Sequence, residues 1–159
     1  MAMKVEMNLL DPEKFTQVVE LTIEEAVYRT MVNAVISAKQ NLYSENSYTD
    51  RTNNLRSSIG FVIYKDGVMI NSYFEKSGVG TEGDGMSGIE IGLIEAEEAA
   101  KNGSPNGFVC VLVAGMDYAG YVESKGYDVI SGSWLHFNEM FKKEFEVLHE
   151  QVSFKLVKI

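Results

Sequence analysis

The sequence has a single cysteine, Cys110, among 159 residues. It cannot close an intramolecular disulfide, and no C-x-x-C pair exists to support thiol redox chemistry or a cysteine zinc site. Cys110 sits in the apolar run Phe108-Val109-Cys110-Val111-Leu112-Val113, where a buried, inert thiol is expected. Arginine is also scarce, at Arg29, Arg51 and Arg56 alone. Fourteen Lys+Arg stand against 23 Asp+Glu, giving a net charge of −9 and a pI near 4.7. Gripping a duplex requires cations that neutralise phosphates and release counterions, so a dedicated nucleic-acid surface is disfavoured. A polybasic lipid anchor is disfavoured on the same ground. No apolar run approaches the roughly 20 residues of a membrane span. Met1–Glu6 lacks the basic-then-apolar pattern of a secretory signal. Together these absences predict a soluble protein made in a reducing cytoplasm.

What is present reads as one globular domain over residues 1–159. Hydrophobic residues make up 45% and charged residues 23%, an ordinary globular composition. Apolar residues recur at three-to-four spacing from Phe15 through Val18, Val19, Ile23, Ala26, Val27, Met31, Ala34, Val35 and Ala38 to Leu42. This predicts a helix over about 12–42, started by Asp11-Pro12 and about 45 Å long. Such a helix either breaks near Thr30, projects beyond its own core, or lies across a sheet.

The polar stretch Tyr43–Asn54 reads as a loop. Ser58–Tyr64 and Val68–Phe74 flank Lys65-Asp66-Gly67. Asp-Gly suits a type I′ turn, so a hairpin is predicted, with Ile59, Phe61 and Ile63 on a buried face. A helix follows over about 87–101, with Ser87-x-x-Glu90 resembling a capping box and a small face of Ile89, Leu93, Ala96, Ala99 and Ala100. Phe108–Ala114 predicts a strand, and Tyr118–Ser124 a short helical turn. Strands are expected at Tyr127–Ile130 and Val152–Leu156, with a helix over about 133–151 between them. The class is α+β: a mostly antiparallel sheet with a long N-terminal helix, a short middle helix and a C-terminal helix.

Few constellations carry chemistry. Gly78-Val79-Gly80-Thr81-Glu82-Gly83 matches G-x-G-x-x-G, the pattern that cradles a dinucleotide pyrophosphate after a parallel strand. Here the strand belongs to an antiparallel hairpin, the helix starts several residues later, and Glu82 and Asp84 put negative charge where phosphate would lie. A flexible surface loop at Gly78, Gly80, Gly83 and Gly85 is the preferred reading. A small nucleotide-binding or enzymatic α+β domain using Gly78–Gly85 is the alternative. His136 and His149, thirteen apart on one predicted helix, point in directions about 220° apart and form no joint metal site. Glu95, Glu97 and Glu98 read as a solvated acidic face, and no G-x-S-x-G elbow is present. No catalytic residue, cofactor or metal ligand is predicted. Tyr118 and Tyr121, three apart, are expected to share a helix face, with Gly126 closing that helix in the left-handed conformation.

Two segments resemble a known family. Arg51-Thr52-Asn53-Asn54-Leu55-Arg56-Ser57-Ser58-Ile59 is similar to the T-G-x-L-R-x-S-I segment of bacteriophage tail-component proteins, the head–tail joining or tail-completion family of long-tailed phages. Asp117-Tyr118-Ala119-Gly120-Tyr121-Val122-Glu123 with Gly126 is similar to that family's Y-A-x-Y-V-E-x-G segment. The order of helix, first segment, hairpin, second segment and terminal helix also matches. Asn53 replaces the family's glycine, a change that left-handed tolerance of asparagine accommodates. Ser131-Gly132-Ser133-Trp134 replaces its proline-rich segment before the last helix.

The resemblance implies a non-enzymatic virion or prophage protein without cofactors. It would form a ring with copies of itself and contact neighbouring neck or tail proteins, in the host cytoplasm during assembly and then in the virion. Thr52, Leu55, Arg56, Tyr118, Tyr121, Glu123 and Gly126 carry the motifs and become the candidate assembly residues. An acidic wall would also suit a DNA conduit that must not hold its duplex.

Overall fold

The computed structural model describes residues 12–41, 48–78 and 80–157, with the backbone path alone for 41 and 149–157. The order is α1 (Pro12–Asn41), α2 (Asn54–Ser57), β1 (Ile59–Lys65), β2 (Val68–Phe74), α3 (Met86–Ala100), β3 (Phe108–Ala114), α4 (Ala119–Ser124), α5 (Ser131–Leu135) and α6 (Phe137–Val157). The fold is α+β. Its sheet runs β2-β1-β3, and both neighbour pairs are antiparallel.

The hairpin forms where Asp66-Gly67 writes it. Both residues take positive φ, 51° and 79°, as a type I′ turn needs. The turn is tied to the start of β3: Asp66 N donates to Gly107 O at 2.9 Å, and Gly107 N to Asp66 Oδ1 at 2.8 Å. The central strand β1 is covered on both faces. Ile59, Phe61 and Ile63 join the core with Val27, Met31, Val35 and Ala38 of α1. Gly60 and Val62 point the other way and are also buried, beneath α3, which packs on β1 and β3. The buried face of α3 is Gly88, Gly92 and Ala96, a narrower set than the Ile89–Leu93–Ala96 face expected. Side chains this small let the helix lie close, and a Cβ on Gly92 would press into the Ser58 carbonyl and the Phe74 ring.

α1 is unbroken at Thr30, whose hydroxyl donates to the Ala26 carbonyl at 2.7 Å and so stays inside the helix. From Ala26 to Ala38 one face is buried; before it, Phe15 and Leu21 stay 52% and 64% exposed. Lys65, at the end of β1, ties this earlier part down through Glu24 at 2.6 Å and Glu20 at 3.4 Å. α6 packs along α1, with Asn33 Nδ2 donating to Glu144 Oε1 at 3.0 Å.

Several sequence expectations are corrected. Val152–Leu156 is not a strand but the continuation of α6. Five alternating residues also fit helical spacing when Phe141, Phe145 and Leu148 precede them without a glycine or proline. Tyr127–Ile130 is not a strand either. Glu123 Oε1 accepts from Ser131 N at 3.0 Å and Asp128 Oδ1 from Gly132 N at 2.8 Å, so the segment serves as the capped entry to α5. The expected helix over 133–151 is two helices, α5 and α6, with His136 between them. Part of the loop expected over Tyr43–Asn54 falls outside the described residues, and its end opens α2.

Candidate functional site

The first motif segment is a tight, internally bonded turn. Asp50 is buried, and its Oδ2 accepts from Arg56 N at 2.9 Å. Thr52 Oγ1 faces Asn54 N at 3.4 Å. Asn53 takes φ 62°, the left-handed conformation that the resemblance assigns to a glycine and that asparagine tolerates. Its carbonyl accepts from Ser57 N at 3.1 Å, closing the one turn of α2. Leu55 is fully buried in the core, whereas Arg56 is half-buried.

The glycine loop lies along this turn. Asn53 Nδ2 donates to Ser77 O, and Ser77 N donates to Ser57 Oγ at 3.2 Å. Glu82 N donates to the Arg51 carbonyl at 2.9 Å, and Gly80 N to Gly83 O at 2.8 Å. Gly83 lies against Thr52, and Gly78 faces the Asn53 side chain. A Cβ on Gly80 would overlap the Arg51 carbonyl, and one on Gly88 the Asn54 carbonyl. Gly85 precedes α3 at φ 78°, with Ser57 and Asn53 directly beside it.

The capping box expected at Ser87 is replaced by Gly85 at the N-cap and Asp84 before it, whose Oδ1 accepts from Met86 N at 3.1 Å. That N–H, with Lys76 3.6 Å away, holds the Asp84 carboxyl below its ordinary range. A carboxylate therefore occupies the end of α3 where a phosphate would bind.

The second segment meets the first through Tyr118. Its ring lies 6.4 Å from that of Tyr48, and its phenol lies beside the Thr52 side chain. Burial, and then the negative charge of Asp50, push the Tyr118 phenol up. Tyr118 and Tyr121 do not share a face. Tyr118 is the N-cap of α4 and turns inward, while Tyr121 is 64% exposed with Lys125 Nζ 5.0 Å over its ring. The helix begins one residue later than the spacing argument required. Gly126 does close α4, at φ 89° with its N donating to Glu123 O at 2.9 Å. Glu123 then caps α5.

The structure thus sets Thr52 beside Tyr118 and packs Tyr118 on the core that holds Leu55, while Arg56 is bonded to Asp50; Glu123 and Gly126 shape the following turn, and Tyr121 is left at the surface. Sequence reading missed Asp50, Ser57 and Ser77, which tie these pieces together. The clustering of Asp, Ser and Thr ahead of a helix start was the available signal for Asp50.

Elsewhere, Glu98 pairs with Lys101, and Glu95 is exposed. His136 faces Glu139 at 3.7 Å in solvent. The side chain of His149 lies outside the described residues. Cys110 is half-buried, and desolvation raises its thiol to about 11. Among the described residues no three His, Cys, Asp or Glu side chains group to hold a metal, and no helix is long and apolar enough to cross a membrane. Comparison with protein-family models, curated proteins and solved structures finds no match to this chain.

Proposed function

We propose that the chain is a structural subunit of the head–tail junction of a long-tailed phage or prophage. In this reading it assembles into a ring with copies of itself, contacts neighbouring neck or tail proteins, and works by presenting shaped surfaces rather than by catalysis. The observation that carries the reading is the meeting of the two motif segments. They are separated in the chain by β1, β2, α3 and β3, yet Tyr118 stands against Tyr48 and Thr52. Asn53 supplies the left-handed turn at the position where the resemblance has glycine. Tyr121, an exposed aromatic with a cation over its ring, is the kind of side chain that interfaces favour. The acidic balance of −9 suits a passage for DNA that must not bind it.

Electron microscopy of the purified chain, alone and mixed with neck and tail proteins encoded beside it, tests the reading. Closed rings are expected, with the six-fold symmetry that the resemblance suggests. A chain that stays monomeric and joins none of those proteins overturns it.

A further inference from the structure

The sheet has two edges, and they are not alike. The β2 edge is interrupted: its register with β1 slips between Ile63 and Tyr64, leaving Ile70 as an extra residue. A bulge is one of the devices that stop an edge strand from recruiting another. Among the described residues the β3 edge carries no such interruption. Its pairing with β1 runs unbroken from Ile59↔Ala114 to Lys65↔Phe108. The strand itself, FVCVLVA, has no charge, proline or glycine, and every residue in it is partly exposed. Among the described residues β3 has a strand neighbour on one side alone.

Charge selects the partner. Residues 102–116 form the longest uncharged stretch in a chain of net charge −9. Two copies carry the same net charge of −9, and α3 alone presents four glutamates. Along β3 they meet without like charges, and an apolar strand is complementary to its own antiparallel copy. Antiparallel ladders are also the more stable kind.

The geometry points to β3 as the contact between two copies of this chain, paired antiparallel about a two-fold axis to make one six-stranded sheet. With the strands in full overlap, Val111 lies at the axis opposite the second copy's Val111. Such a contact is isologous and cannot close a ring, so the inference does not rest on the proposed function.

The test combines sedimentation of the full chain with cross-linking. The Cys110→Ser chain and the Cys110→Ser, Val111→Cys chain are each treated with a short thiol-to-thiol cross-linker. Cys110→Ser, Ser72→Cys, on β2, reports on the other edge. Circular dichroism melts confirm that each variant is folded. A dimer in solution, captured covalently through position 111 and not through position 72, is the expected result. A monomer at every concentration overturns the inference. Rings or dimers that fail to cross-link at position 111, or that cross-link through position 72, also overturn it and leave the ring reading standing. A dimer linked at position 111 that never forms rings has the opposite consequence.

Discussion

The Asn53 side-chain amide donates to the Ser77 carbonyl from a residue whose own backbone is left-handed at φ 62°. One residue therefore turns the chain into α2 and fastens the glycine loop to that turn. Replacing it separates the two roles. Asn53→Ala removes the bond and puts a poorly suited residue in the left-handed region, costing about 2–3 kcal/mol in all. Asn53→Gly keeps the turn and loses the bond, costing about 1 kcal/mol. Thermal melts should rank wild type above Asn53→Gly and Asn53→Gly above Asn53→Ala. Equal melting temperatures for the two variants would show that the conformation carries no weight.

Two helical glycines should respond to alanine with opposite signs. Alanine gains about 1 kcal/mol over glycine inside a helix. At Gly120, in α4, a Cβ meets nothing within 4 Å, so Gly120→Ala should raise the melting temperature by a few degrees. At Gly88, in α3, the Cβ would overlap the Asn54 carbonyl. Backbone has to move, and overpacking of that kind costs about 1–3 kcal/mol. Gly88→Ala should therefore lower the melting temperature despite its better propensity.

The same contrast explains what could be read from the sequence. Asp66-Gly67 encodes its turn in two adjacent residues, and the three-to-four spacing of α1 is repeated over thirty residues, so hairpin and long helix were legible. Asn53 was legible because a single residue type answers a single backbone demand. α2 has four residues, too few to display a period. The five residues Val152–Leu156 satisfy two periods at once, and only their continuity with α6 decides between them. Gly88 and Gly92 bury their face of α3 without contributing hydropathy. Glu123 caps α5 from eight positions away, and Asn53 reaches Ser77 from twenty-four. Contacts set by the folded path leave no local pattern.

Tyr73 makes the alkaline limit of stability predictable. Its hydroxyl donates to the Glu75 carboxylate, and that bond, with burial, pushes its ionisation from 10.0 up to about 12. The fold favours the neutral phenol. Its contribution is complete below the ordinary tyrosine value, and is lost as pH rises from about 10 towards 12 because the unfolded chain ionises first. Spectrophotometric titration of the tyrosinate band should show a step near pH 12 for Tyr73, apart from the Tyr118 phenol, which burial also raises. Tyr73→Phe should remove that late step, and Glu75→Gln should move it to lower pH. A late step that survives Tyr73→Phe would assign it to another residue.

Tyr118 and Tyr121 separate the two things an assembly residue can do. Tyr118 is packed against Tyr48 beside Thr52, so truncating it leaves a void where the motif segments meet. Tyr118→Ala should cost about 1–3 kcal/mol and lower the melting temperature with or without partners. Tyr121 is 64% exposed, and the Lys125 ammonium lies over its ring. Tyr121→Ala should stay within about 0.5 kcal/mol of wild type, as surface changes do. An exposed aromatic that contributes this little to its own fold is free to be selected for contact with another surface. The folded Tyr121→Ala subunit should therefore form fewer rings under the electron microscope, while its melt is unchanged. Undiminished ring formation by that variant would take Tyr121 out of the interface and leave Tyr118 a role in the fold alone.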